Sequence, residues 1–280
     1  MPNDTQSTTG QNWIHTGPLP LKFMFMPRTG GTWRRMRSGL LARDVGLHAA
    51  SDGVLSNIHL RANGKPGQRG GWYSDDIDFY YLHVMDGEVK LQTDKGDTIV
   101  LKRGDSLVMP AFNLRQDVFA YSADFEAMEF TSRGALELIE TNERRIGHEP
   151  GPLSTEGQII SRDVPESYVT GDGPRKFFSY RNLGATQSTG GRIHIHVVGI
   201  VDTPPGGTGW HTHSMDQFWT PFTGFLDIAV EGFGKVRLRR GDAMAIPVGL
   251  RHNVTEFSLD YTTNEVCIPT DYLTTPAPTP

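Results

Sequence analysis

The sequence predicts an all-β protein made of two tandem copies of one barrel unit, with few short helices, and three observations carry that expectation. Short runs rich in β-branched and aromatic residues alternate with Gly, Pro, Asp and Asn turns along most of the chain. The landmarks Arg43-Asp44-Val45-Gly46, Gly53 and the run from Val54 return 138 residues later as Arg181-Asn182-Leu183-Gly184, Gly191 and the run from Arg192. Gly87, Gly104 and Pro110 return 137 residues later as Gly224, Gly241 and Pro247. A register kept over that span with one residue slipped marks a duplicated domain.

The elements follow in order. Residues 1–21 are rich in Asn, Thr, Gln, Ser and Gly without periodicity and suit a flexible arm, with Trp13 and Ile14 as its anchoring candidates. The N-terminal barrel is expected over 22–146. It opens on Phe23-Met24-Phe25-Met26 and continues through strands at 54–62, 78–85, 88–93, 98–101, 106–109, 118–120 and 125–130. A short helix over 134–144 closes it. The basic cluster Arg34, Arg35 and Arg37 suits a solvated face. Residues 147–176, rich in Pro, Gly and charge, form the expected linker, the C-terminal barrel spans 177–272, and the tail 273–280 is expected to be disordered or to lie extended on the surface.

Composition excludes several classes of function. A length of 280 residues can bury a sizeable core. The formal charge of −5, without a basic stripe, offers no footprint for nucleic acid. No apolar run approaches the roughly 20 residues that span a bilayer, and the start is polar, so no membrane association is expected and a cytoplasmic location is. One cysteine, Cys267, rules out an intramolecular disulfide framework.

The chemistry concentrates in Gly209-Trp210-His211-Thr212-His213-Ser214-Met215-Asp216-Gln217-Phe218-Trp219, closed by Gly224. Alternation along a strand puts His211, His213 and Gln217 on one face. A third imidazole, His252, follows the turn residues Pro247 and Gly249. Together the two stretches resemble the two sequence motifs of the cupin superfamily. The match covers every ligand position but one, where Gln217 replaces the usual Glu. Glu256 also stands in place of the closing Asn, which is not a ligand position.

The resemblance implies a bicupin with one divalent transition metal, most simply Fe(II), with Mn, Ni, Zn or Cu as alternatives, on His211, His213, Gln217 and His252. In the first copy the matching positions are Ser74, Asp76, Tyr80 and Arg115, which do not make a transition-metal set. That barrel is expected to lack a metal and to serve packing, a homodimer contact or a residual pocket using Arg115 and Asp76.

The ligand set resembles that of the three-histidine non-haem iron dioxygenases, which implies oxidative cleavage of a carbon–carbon bond in a small phenolic or dicarbonyl substrate, with dioxygen as the second substrate. Gln217 cannot take a proton, so a base must come from elsewhere. His194 and His196 share a strand face and, if it is inward, are catalytic candidates as proton shuttles; if outward, they are solvated. Trp219 and Met215 share the face of Gln217 and are candidate substrate-binding walls, or simply core. Asp216 has the opposite parity and suits a supporting hydrogen bond. Two other functions stand beside the dioxygenase: non-redox lyase, isomerase, cyclase or hydrolase chemistry at the metal, and a non-enzymatic ligand-binding protein.

Overall fold

The computed structural model describes residues 19–35, 39–71, 79–92, 97–110, 117–132, 158–171, 175–203, 206–270 and 273–280. The helix expected over 134–144, and Ser74, Asp76 and Arg115, lie outside the described residues. The described chain is antiparallel strand throughout, with helices of one turn at Leu47–Ala50 and Ala185–Ser188 and one short 3₁₀ turn at Pro165–Ser167. No helix among the described residues is long and apolar enough to cross a membrane.

Each half is built from two sheets. In the N-terminal half, a seven-stranded sheet centred on Phe79–Asp86 and Glu126–Ser132 accompanies a four-stranded sheet holding Glu88–Gln92 and Thr98–Lys102. In the C-terminal half, a seven-stranded sheet centred on Asp216–Thr223 and Thr262–Ile268 accompanies a five-stranded sheet with Phe225–Val230 and His252–Phe257. Apolar side chains divide into three clusters by strand alternation. Leu60, Leu82, Leu91 and Leu101 fill one half, and Leu226, Ile228, Leu238 and Val254 fill the other. Tyr81, Phe130, Ile195, Phe218 and Val266 join the halves back to back, with Phe130 and Phe218 ring centroids 6.0 Å apart. Each fully buried apolar side chain of this kind contributes about 1.5–3 kcal/mol relative to exposure.

The Arg-Asx-x-Gly repeat has a local cause. The Asp44 carboxylate accepts the Gly46 amide at 2.7 Å, and the Asn182 side-chain oxygen accepts the Gly184 amide at 2.8 Å. Both glycines are left-handed, with φ of 89° and 79°, where a side chain would be disfavoured. Each then starts its one-turn helix.

Three expectations about the connecting segments need correction. The strand Met24–Met26, expected to open the N-terminal barrel, pairs with Ala243–Ile246 of the C-terminal sheet. Reciprocally Ile159–Ser161, from the expected linker, pairs with Ser106–Pro110 of the N-terminal sheet. Each copy thus lends its first strand to the other; Met24 and Met26 meet the inter-barrel cluster while Phe23 and Phe25 meet the C-terminal interior. The arm is also fastened at its end, since Leu21 is buried and the Leu19 amide donates to Asp216 at 3.0 Å. Finally, the tail is ordered strand: Thr274–Pro276 pairs with His211–His213. The free edge of His211–His213 presents unpaired amides and carbonyls, and an extended, Pro-containing segment satisfies them without needing every N–H of its own.

Candidate metal centre

Two paired strands carry the histidines to one place. His211 and His213 lie on His211–His213, and His252 begins His252–Phe257, which pairs with the first at His211 and His252. Gln217 comes from the neighbouring sheet, on Asp216–Thr223. One ligating nitrogen of each of His211, His213 and His252 lies within 4.8 Å of the other two, and all three residues are buried.

The outer face of each ring is held. Nδ1 of His211 meets the Gly209 carbonyl at 2.8 Å, Nδ1 of His252 meets the Leu250 carbonyl at 2.9 Å, and Nδ1 of His213 meets the Thr274 hydroxyl at 3.0 Å. A carbonyl can only accept, so His211 and His252 carry the proton on Nδ1 and present Nε2 as the lone-pair nitrogen. Burial pushes the imidazoles down, His213 to about 3 and His252 to about 4, so they stay neutral, the form that ligates.

Two orphaned buried atoms test whether an ion fits. Nε2 of His252 and Oε1 of Gln217 have no hydrogen-bond partner among the described residues. Unpaired polar atoms are costly in a protein interior. A cluster of three imidazole nitrogens, with Gln217 lining a cavity that His211 and His213 also line, suits a divalent transition ion, so the residues fit one.

Behind Gln217 stands a residue that the sequence motifs did not single out. Glu265, on Thr262–Ile268, accepts from Gln217 Nε2 and from Trp219 Nε1 (3.2 Å) on one oxygen, and from His196 Nε2 (2.6 Å) on the other. Burial alone would raise its carboxyl, but the His196 hydrogen bond and nearby imidazoles hold it well below the usual carboxylate range. His196 Nδ1 then lies 2.9 Å from His194 Nε2, and His194 Nδ1 lies 3.0 Å from the Thr186 hydroxyl. Donor and acceptor roles agree along the line: Thr186 O–H to His194, His194 N–H to His196, His196 N–H to Glu265.

The centre opens into a narrow cavity of about 40 Å³. His211, His213, Gln217 and Trp219 line it, together with Glu265 and Arg175. The inward orientation of His194 and His196 is therefore the observed one, but neither lines the cavity; they reach it through Glu265. Met215 is buried and does not belong to the described lining. Asp216 supports the site from outside, accepting the Leu19 amide and, at 2.8 Å, the Val248 amide in the turn before His252. Arg175 and Thr274 escaped sequence analysis because they fall in segments read as linker and tail. Glu265 carried a usable signal, a lone carboxylate in the strand run Thr262-Thr263-Asn264-Glu265-Val266-Cys267-Ile268, where a buried charge needs partners.

Comparison with known proteins agrees with this fold. Residues 64–130 match the family described as EutQ-like cupin domain. Among solved structures the chain is similar to oxalate decarboxylase from Bacillus subtilis, with 14% identity over 90% of this chain and 79% of that one at a TM-score of 0.58. Another structure of that enzyme, at 13% identity over 89% of this chain and 78% of that one (TM-score 0.58), is described by its Mn(II) centres. The chain is similar too to the E. coli protein Ylba, at 11% identity, 92% and 96% coverage and a TM-score of 0.62. No curated protein sequence matches. The chain has the fold of the cupin superfamily, in its two-barrel form.

Proposed function

We propose that this chain is a metal-dependent enzyme that holds one divalent ion on His211, His213, Gln217 and His252, and that it is an Fe(II) dioxygenase cleaving a carbon–carbon bond of a small phenolic or dicarbonyl substrate. The observation that carries the proposal is the convergence of three neutral imidazoles on one buried centre, beside a cavity that Gln217 also lines. When bound, the ion would supply Lewis acidity and, as Fe(II), electrons to dioxygen.

The protein's own residues support a class of substrate. All four donors are neutral and Arg175 adds a positive charge at the cavity wall, so the site favours an anionic, oxygen-rich molecule such as a phenolate or enolate. The small void favours a small one. Glu265 supplies the base that Gln217 cannot be: its carboxylate lies one hydrogen bond behind Gln217 and accepts the proton as a hydroxyl substrate enters. His196, His194 and Thr186 hold that carboxylate in place through a line of hydrogen bonds that all point toward it. Trp219, anchored through Nε1 to the same carboxylate, forms the aromatic wall.

Glu265 favours a second reading, non-redox cleavage such as decarboxylation with Mn(II), because a base beside a Lewis acid completes that chemistry without dioxygen. One experiment separates the two. Protein purified without added metal is analysed for bound elements, then mixed with phenols, β-diketones and small dicarboxylates in an oxygen electrode. Bound iron with oxygen uptake matching substrate loss supports the dioxygenase. Turnover unchanged under anaerobic conditions overturns it in favour of the lyase. Bound metal with no turnover of any substrate class would favour a binding protein.

A further inference from the structure

The duplication supplies an internal control for a second cavity, of about 180 Å³, between the barrels beside Arg181. Two buried arginines cross the interface in matching ways. Arg43 Nη2 donates to the Gly241 carbonyl at 2.6 Å, and Arg181 Nη2 donates to the Gly104 carbonyl at 2.6 Å. Strand registers fix the equivalences around them. Arg43 faces His59 where Arg181 faces Val197, and Arg61 faces Glu126 where Gly199 faces Thr262. The side with His59 and Glu126 therefore corresponds to a side with Val197 and Thr262.

On the Arg43 side the polar groups are satisfied from within the chain. The Glu126 carboxylate accepts from His59 Nε2 at 2.6 Å and from Arg240 Nη2 at 2.5 Å. Arg43 Nη1 donates to the Pro27 and Gly30 carbonyls at 3.0 Å each, leaving only Nε unpaired. On the Arg181 side a threonine and a valine cannot replace the carboxylate and imidazole. Arg181 is 1% exposed, yet both its Nε and its Nη1 lack a hydrogen-bond partner among the described residues, as does Nδ1 of buried His83. Both residues line the cavity. Arg103, the counterpart of Arg240, lines it too. The nearby carboxylates do not fill the gap. Asp163 lies 3.6 Å from Arg181 Nη1 and accepts the Tyr168 hydroxyl, while Asp86 lies 3.7 Å from Arg103 Nε and binds Arg240.

We propose that this inter-barrel cavity binds a small carboxylate, whose oxygens take the place that Glu126 holds on the opposite side and accept hydrogen bonds from Arg181 and Arg103. The void is several times that of the metal cavity, so a molecule larger than acetate has room. The ligand is a group supplied from solution where the other side of the same interface uses a residue of the chain.

The test is thermal melting of the full-length protein as purified, in sodium acetate and in sodium chloride of equal ionic strength. Acetate is expected to raise the melting temperature saturably, by about 3–5 °C at high occupancy, beyond any effect of chloride. Arg103→Gln, at a largely exposed side chain whose replacement leaves the core untouched, should abolish the difference. Thr262→Glu should also abolish it by supplying the carboxylate from the chain, and should melt no lower than the parent. Equal curves in acetate and chloride overturn the proposal. So does an acetate effect that survives Arg103→Gln, because it would then belong to the metal centre or to bulk salt.

Discussion

The two barrels share a skeleton and differ in what they place inside it. In the C-terminal barrel Glu265 sits behind Gln217, whose amide donates to it. In the N-terminal barrel the matching Glu129 sits behind Tyr80, whose hydroxyl donates to it at 3.0 Å. The registers confirm the match, since Glu129 lies opposite Ile58 as Glu265 lies opposite His196. An interior glutamate is thus a feature of both copies, whereas the amide in front of it belongs to the copy with the histidines. A buried carboxylate requires a donor, and either a phenol or an amide meets that need. The amide also has an oxygen to offer to an ion. The comparison teaches that the two barrels keep one polar core and differ in the group set in front of it.

The largest effect should come from removing the histidines that only one copy has. His252→Ala is expected to reduce bound metal from near one per chain to background and turnover to the uncatalysed level, with an unchanged far-ultraviolet spectrum; elemental analysis and assay on the same preparation check it. The two interior glutamates separate next. Glu265→Gln should lower turnover by about 10²–10³-fold with metal retained, while Glu129→Gln should leave turnover unchanged; retained activity in the first would remove the base from the mechanism. Third, Thr274→Val takes away the hydroxyl that meets Nδ1 of His213. A weakening of metal affinity by about tenfold is expected, as for other groups that orient a ligating imidazole, read by competition with a chromogenic chelator.

Two smaller effects are pH-dependent and concern the interface and the hydrogen-bonded line. Burial opposes ionisation of Glu126, but the hydrogen bonds from His59 and Arg240 hold it down to about 2, against an ordinary 4.5. Its folded value lies below its unfolded one, so its stabilisation is present above pH 4.5 and is lost as pH falls toward 2. Glu126→Gln should cost about 1–3 kcal/mol at neutral pH and progressively less in acid, by urea denaturation across that window. His194 is lowered to about 4 by burial and by His196. It folds as the neutral form, so wild-type stability should fall as pH drops from 6.5 through 4, and His194→Gln should flatten that slope.

Much of the fold was legible because duplication is a sequence property. The Arg-Asx-x-Gly landmarks encode a local turn that needs no tertiary partner, and the strand runs followed from alternation. The candidate ligands were legible in part: His211 and His213 share a strand face by counting, whereas Gln217, counted onto the same face, lies on a strand of the neighbouring sheet because the chain turns at Ser214 and Met215. Partner choice was not legible. Nothing local says that Met24–Met26 should pair with the distant barrel, since its apolar alternation suits either sheet. The tail, read from its prolines as disordered or extended on the surface, is strand because an open edge beside the histidines receives it.

The sequence by itself therefore determined the two-copy β architecture and the three candidate histidines, because the first rests on a repeat and short periodicities and the second on spaced motifs. Only the tertiary structure decided that Glu265 stands behind Gln217, that His196 hydrogen-bonds to it and His194 to His196, and that Arg181 faces a cavity on the side matching the one where Arg43 lies beside His59 and Glu126. Those are relations between residues on different strands, and they are fixed by register and by the packing of one copy on the other.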